Sequence, residues 1–336
     1  MVAFILATAG NVILPMAVKP TLSVVIPTYN CAPHMERHLA AMAKWVDLVD
    51  EIIVVDSRST DGTLELVRSR LQHPNLRIIE RDRGLYASWN EGIAATTGDW
   101  IYVSTAGDLI GREHLARLLA AGVGTNADVV VSPQRFVDET GEPIVDGPFV
   151  NPAIHAALAP FGQVVVPPLL VRLFAFRKAK PNALLGSCAS DLFKGSFLRA
   201  RPFPTDYGTH GDTAWTLRHS GEMSLCLVPV AGADFCIHAK EPVAGTVDLK
   251  SVLDQIFLRE ARGELPPAHA ALAALTLGTR MAAIERSKRW RQRPRTISNW
   301  LGFGSAAVRY LWLRVRLQMV EAKLERALLA QLRPGG

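Results

Sequence analysis

The sequence predicts an α/β domain built on a mostly parallel sheet with helices on both faces, followed by a helical C-terminal region. Short apolar runs alternate with helix-period segments as far as Ser132, the pattern of repeated strand–helix–strand units. The runs read as buried strands, as parallel strands covered on both faces do. From Val247 onward the periodicity is helical alone. With 336 residues, 49% of them hydrophobic, the chain is long enough for one large α/β domain with an appendage and for a sizeable core.

Each element has its own signal. Leu22–Ile26 is the first strand, ended by Pro27. Met35–Val46 is helical, with Met35, Leu39, Met42 and Val46 on one face. Glu51–Val55 is the second strand, and Asp61-Gly62 opens a helix over Thr63–Leu71. Leu76–Ile79 is a short strand, and Ser88–Thr97 a helix stopped by Gly98. Trp100–Ser104 is a strand, Arg112–Ala121 a helix and Asp128–Ser132 a strand. Residues 133–183, rich in prolines and short runs, read as an insertion crossing the sheet. Strands follow at Leu225–Val230 and Phe235–His238, with a helix at Thr213–His219. The expected domains are therefore an N-terminal extension over 1–20, an α/β domain over 21–240 and a helical region over 241–336.

The net charge of +6 favours anionic partners. It is concentrated in Arg286–Arg316, which holds nine Lys/Arg, no acid, and Trp290, Trp300, Phe303, Tyr310 and Trp312. Beyond Pro294 this segment reads as a basic amphipathic helix, with Val308, Leu311, Trp312, Val315 and Met319 on one stripe. It suits either the surface of an anionic membrane or packing on its own domain. No nucleic-acid motif accompanies the charge, so no nucleic-acid partner is expected. Four cysteines without CxxC spacing argue against a disulfide framework or a zinc site and fit a reducing compartment. Residues 1–18 are uncharged and apolar but lack a positive leader and are broken by Gly10, Asn11 and Pro15. They are expected to be an extension, a short helix or a stretch before a start at Met16, in preference to a signal peptide or a membrane span.

In an open α/β sheet, ligands bind at the carboxyl ends of the strands. Asp56 and Asp108 fall there, Asp108 beside Gly107, where a ligand can approach the backbone closely. Five segments carry a resemblance: SVVIPTYN (23–30), VVDSRSTDGT (54–63), RGLYASWNEGIAATTGDWIYVSTAGD (83–108), GDTAWTLR (211–218) and CIH (236–238). Together, in this order, they resemble the family-2 inverting glycosyltransferases that build bacterial surface polysaccharides. The resemblance spans about residues 21–240 and implies a GT-A fold, a Rossmann-like domain that binds nucleotide-sugars.

It also implies roles. Pro27, Thr28 and Tyr29 would hold a flat base, unless Tyr29 merely packs at the strand end. Asp56 would accept from the base or ribose, with Ser57 standing where relatives often carry a second Asp. Arg83 would reach the diphosphate, or lie free on the surface, and Asn90 would stand near the donor sugar or ribose. Asp108 and His238 would ligate a divalent cation, Mn²⁺ or Mg²⁺, with Gly107 letting the phosphates approach. The usual metal motif is reduced here to Thr105-Ala106-Gly107-Asp108, a single carboxylate, and Asp108 also suits a helix cap. Asp212 matches the general base, or caps its helix, and Gly211 replaces the Glu that often precedes it. The donor would be a nucleotide-diphosphate sugar. The acceptor would be a glycan or a lipid-linked glycan, at the inner face of the cytoplasmic membrane with the protein peripheral to it. The reduced motifs also suit a catalytically silent relative that binds a nucleotide or an assembly partner. A nucleotidyltransferase would want a glycine-rich basic loop after the first strand, and IPTYNCAPH has none.

Overall fold

The structure, a computed structural model, describes residues 19–144, 157–175, 184–186, 188–237 and 322–332, and positions 154, 256, 259, 260, 315 and 319. In chain order the elements are β1 (Leu22–Thr28), α1 (Ala32–Met42), β2 (Glu51–Asp56), α2 (Thr63–Arg70), β3 (Leu76–Glu80), α3 (Leu85–Ala95), β4 (Trp100–Val103), β5 (Leu109–Ile110) and α4 (Arg112–Thr125). They continue with β6 (Val129–Val131), β7 (Gln134–Val137), β8 (Val164–Val166), α5 (Pro168–Leu173), β9 (Asp191–Lys194), α6 (Gly195–Arg199), α7 (Gly211–His219), β10 (Leu225–Leu227) and β11 (Ala233–Cys236).

The main sheet has the order β3-β2-β1-β4-β9-β6-β10-β8, and a small sheet has the order β5-β11-β7. β1, β2, β3 and β4 are mutually parallel, as are β6 and β10. β9 runs antiparallel between β4 and β6, and β8 runs antiparallel at the edge. Alternate residues of each strand enter two cores, as the two-residue period of a strand requires. Val25, Ile101, Val129 and Phe193 face a core that includes Tyr86 and Trp89 of α3 and Trp215 of α7. Val24, Ile52, Tyr102 and Leu192 face another, with Met35 and Leu39 of α1 and Leu115 and Leu118 of α4. This is the doubly covered, mostly parallel α/β sheet that the alternation predicted.

Several boundaries differ from expectation. Pro27 does not end the first strand. β1 runs on to Thr28, with Pro27 opposite Val55. Val25 accepts a bond from Ser104 N on the β4 side, and Thr28 from Ser57 N on the β2 side. Pro27, two residues after Val25, therefore turns its missing N–H to the β4 side, where β4 has already ended at Val103, and no ladder bond is lost. α3 begins three residues earlier than the sequence suggested, because Tyr86, Trp89 and Ile93 share its buried face. α4 runs on to Thr125, where Asn126 closes it at φ 54 with its N–H on Gly122 O. The segment 133–183 is not simply a crossing insertion. It supplies β7 to the small sheet and β8 to the edge of the large one.

The boundary at 240 does not separate two independent units. Ile256 is 1% exposed within the core shared by α3 and α7, and Leu324, Leu328, Leu329 and Leu332 pack against it. Of the apolar stripe expected on the basic segment, Val315 and Met319 are described, and both are exposed. The N-terminal 1–18 and nearly all of 286–316 lie outside the described residues. No helix among the described residues is long and apolar enough to cross a membrane.

Candidate active site

The candidate residues gather at the carboxyl ends of β1, β2 and β4. Asp56, the last residue of β2, is fully buried. Its Oδ1 accepts from Thr28 Oγ1 at 2.8 Å and Ser59 Oγ at 2.6 Å, and its Oδ2 from Ser59 N at 2.8 Å. Asn30 N in turn donates to Ser59 Oγ at 3.0 Å, and Thr60 N to Asn30 Oδ1 at 2.9 Å. The Asp56 carboxylate, expected to accept from a base or ribose, and the Thr28 hydroxyl thus sew the loops after β1 and β2 together. Ser57 is likewise turned inward, its Oγ 3.0 Å from Ser88 Oγ on α3. Asp61 acts as the sequence suggested for a helix opener, accepting from Thr63 N at 3.1 Å and Thr63 Oγ1 at 2.6 Å.

Tyr29 is different. It is 40% exposed, and the guanidinium of the exposed Arg83 lies 4.3 Å from its ring centroid. The pair presents an aromatic face and a cation side by side at the sheet's ligand edge. Such a surface can stack a planar base and attract a phosphate. Sequence spacing of more than fifty positions gave no hint that these two would meet.

Asn90 does not face the edge. Its Nδ2 donates to Phe203 O and its Oδ1 accepts from Phe203 N, both at 2.8 Å. Both ends of the amide meet one backbone unit, so Asn90, expected near the donor sugar or ribose, braces the segment leading to α7.

The loop after β4 turns at Gly107, whose φ of 98° lies in the left-handed region that glycine tolerates. Asp108 is 7% exposed. Its Oδ2 accepts from Thr105 Oγ1 at 2.5 Å and its Oδ1 from Cys236 N at 2.9 Å. The bond to Cys236 ties this loop to β11. The bond joins residues far apart in sequence, and the N-cap position of the following helix is Gly111. His238 lies outside the described residues, and no group of three or more His, Cys, Asp or Glu among the described residues is arranged to hold a metal ion.

Sequence reasoning missed His38, which sets the loop's shape. It is buried on α1, with Nδ1 3.0 Å from Asp108 O and Nε2 3.1 Å from Ser104 Oγ. Burial lowers its pKa to about 4, so the ring is neutral. A carbonyl can only accept, so Nδ1 carries the proton and Ser104 donates to Nε2. A lone histidine on a helix face gave no signal for this role.

Asp212 stands in the first turn of α7. Burial raises its pKa above the ordinary carboxylate range, against the lowering effect of bonds from Thr213 N and Tyr86. Thr213 N donates to Oδ1 at 2.6 Å, and Tyr86 Oη donates to the neighbouring Thr209 O at 3.2 Å. A carboxylate with a raised pKa at a ligand edge is suited to proton transfer. The glycine before it has a physical reason. A Cβ at Gly211 would stand 2.4 Å from Tyr86 Cδ2 and 2.5 Å from Pro204 O, so this packing has no room for a glutamate there.

A second missed residue is Asp191, the first residue of β9. It is fully buried, and neither carboxylate oxygen has a hydrogen-bond partner among the described residues. Burial holds it well above the usual carboxylate range, and the Asp212 charge adds to the effect. Nothing in SCASDLFK marks this residue as other than a strand terminus.

The C-terminal region reaches this site. Glu260, 6% exposed, accepts from Arg218 Nε at 2.6 Å and from Arg218 Nη2 at 2.9 Å, and it also accepts from the Tyr207 hydroxyl. Arg259 pairs with Asp206 at 2.9 Å. Glu260 therefore joins the two sides of the Gly208–His219 stretch that carries Asp212.

Comparison with known proteins bears on the family and the fold. The profile of Glycosyl transferase family 2 matches residues 23–159. The chain is 28% identical over 160 residues to the succinoglycan biosynthesis protein ExoO of Rhizobium meliloti, covering 47% of this chain and 44% of that protein. It is 35% identical over 129 residues to a PGL/p-HBAD biosynthesis glycosyltransferase of Mycobacterium bovis, covering 35% of this chain and 50% of that protein. The chain thus spans half or less of the length of these relatives. Among solved structures, S. aureus TarS 1-349 in complex with UDP-GlcNAc superposes with a TM-score of 0.56 at 16% identity, covering 87% of this chain and 81% of that one. That likeness is one of fold, and the fold is GT-A.

Proposed function

We infer, from a chain that belongs to glycosyl transferase family 2 through residues 23–159, that it is an inverting glycosyltransferase using a nucleotide-diphosphate sugar. The acceptor is a glycan or lipid-linked glycan of surface polysaccharide synthesis. The observation that carries this reading is Asp212, a carboxylate with a raised pKa at the ligand edge of a GT-A sheet. In the proposed reaction Asp212 takes the proton of an acceptor hydroxyl. The acceptor oxygen attacks the anomeric carbon from the face opposite the diphosphate, the bond to the diphosphate breaks, and configuration inverts. Tyr29 and Arg83 receive the base and the phosphate end.

A divalent cation suits this site if substrate supplies most of its ligands. Asp108 offers one carboxylate, enough for a hard ion whose remaining ligands are phosphate oxygens and water. When bound, the ion would neutralise charge on the departing diphosphate. The test is a panel of uridine-, guanosine- and thymidine-diphosphate sugars, read as released nucleoside diphosphate with Mn²⁺ or Mg²⁺ present. Turnover with one of them is the expected result. Affinity without turnover would instead support a silent binding relative, to which the single-carboxylate motif lends some weight.

The place of action we propose is the inner, anionic face of a membrane, touched peripherally through the basic segment 286–316. Its nine cations without acids and the exposure of Val315 are the supporting observations. Each Lys or Arg near an anionic surface contributes on the order of 1 kcal/mol, screened by salt. The protein is expected to sediment with anionic vesicles more than with neutral ones and to detach partly at high salt. Equal binding to both would reject it.

A further inference from the structure

We propose that Asp191 is a second carboxyl group of the active site, one that binds a hydroxyl of the transferred sugar beside Asp212. This rests on the glycosyltransferase reading above.

Topology places the residue. β9 runs antiparallel to its neighbours β4 and β6, so its first residue lies at their carboxyl ends, the ligand edge. Asp191 pairs with Val131, the last residue of β6. Two residues on, Phe193 shares its face and meets the Trp215 ring edge-on at 5.8 Å. Trp215 is three residues from Asp212 on α7, and so shares that residue's side of the helix. Asp191 and Asp212 therefore stand over the same face of the sheet and reach its edge together. On the other side of β9 is β4, whose following loop carries Gly107 and Asp108.

The position fits a sugar. In the proposed reaction the anomeric carbon is bonded to the diphosphate and attacked by the oxygen that Asp212 deprotonates. The sugar ring must lie between the loop after β4 and the start of α7. Asp191 projects from the strand between them.

The chemistry points the same way. A buried carboxyl with no partner on either oxygen costs stability in either protonation state. Gln134 Nε2 also lacks a partner among the described residues, while its Oε1 is reached by Ser190 Oγ, next to Asp191, at 3.4 Å. Buried polar groups with unmet hydrogen-bonding capacity mark places where something outside the protein completes the set. A sugar hydroxyl can both donate and accept, which suits a carboxyl group whether or not it holds a proton. The carboxyl is closed off from solvent, so a sugar reaches it only with a local rearrangement. Asp191 takes no proton from the acceptor, a step that belongs to Asp212.

The test compares the full chain with its Asp191→Ala and Asp191→Asn variants, by thermal unfolding and turnover. The probes are the uridine-, guanosine- and thymidine-diphosphate sugars of the donor panel and the matching sugar-free diphosphates. The wild type should gain a larger rise in melting midpoint from the nucleotide-sugar than from the diphosphate alone. Asp191→Ala should keep or raise the ligand-free midpoint and keep the diphosphate shift. It should lose the extra shift from the sugar, and kcat/KM should fall about 10- to 100-fold, the span of one hydrogen bond to a charged group. Asp191→Asn should recover part of both. A lowered midpoint with both shifts lost would make the residue structural and overturn the proposal, as would an unchanged sugar increment. If no probe shifts the wild type, the donor reading itself fails, and this proposal with it.

Discussion

Asp212→Asn should lower turnover about 10²–10⁴-fold while leaving donor affinity close to wild type, the loss typical of a removed general base. The amide is isosteric and still accepts from Thr213 N, so α7 should stay in place. The pH profile adds a second reading. Burial raises the pKa of Asp212, so the proton-accepting form is lost as pH falls at values above the ordinary carboxylate range. The acid limb of kcat/KM should lie correspondingly high in the wild type and vanish in Asp212→Asn. Wild-type turnover in the variant, or an acid limb that persists unchanged, would move the base elsewhere.

Glu260→Ala should lower stability and turnover together. Glu260 is 6% exposed and holds Arg218 through both its oxygens, with the Tyr207 hydroxyl as a third donor. Breaking a buried pair on one side costs about 3–5 kcal/mol. Arg218 is 40% exposed, so water recovers part of this and about 1–3 kcal/mol is expected. The Gly208–His219 stretch carries Asp212, so turnover should fall along with the melting midpoint. Thermal unfolding and turnover measured together check this, and an unchanged midpoint would show that the contact contributes nothing. The same geometry revises what a truncation does. Removing the chain beyond 240 strips Glu260 and the leucines at 324, 328, 329 and 332 from the core that holds α7, so the α/β domain is not expected to stand alone.

The alternation of apolar runs with helical periods was enough to place β1, α1, β2, α2, β3, β4 and α4 within a few residues. Strand and helix periods are local properties, and each of these elements buries a face that its own residues specify. The resemblance likewise singled out Tyr29, Arg83, Asp108 and Asp212. β9 escaped because DLFK is short and gains its place from pairing with β4 and β6, partners distant in sequence.

Side-chain roles divided along the same line. Its place at a strand end put Asp56 at the ligand edge, and the resemblance put Asn90 near the donor. Tertiary structure decided that Asp56 closes a turn with Ser59 and that Asn90 clasps the backbone of Phe203. It alone set the neutral state of His38, the fit of Gly211 against Tyr86, and the isolation of Asp191. The sequence by itself determined the order of the strands and helices from β1 to β4, the sheet's doubly buried character and the strand ends at which Asp56 and Asp108 fall. Hydrogen-bond partners and desolvation depend on atoms brought together from far along the chain, so which carboxylates are spent on the fold and which remain for a substrate was decided by packing alone.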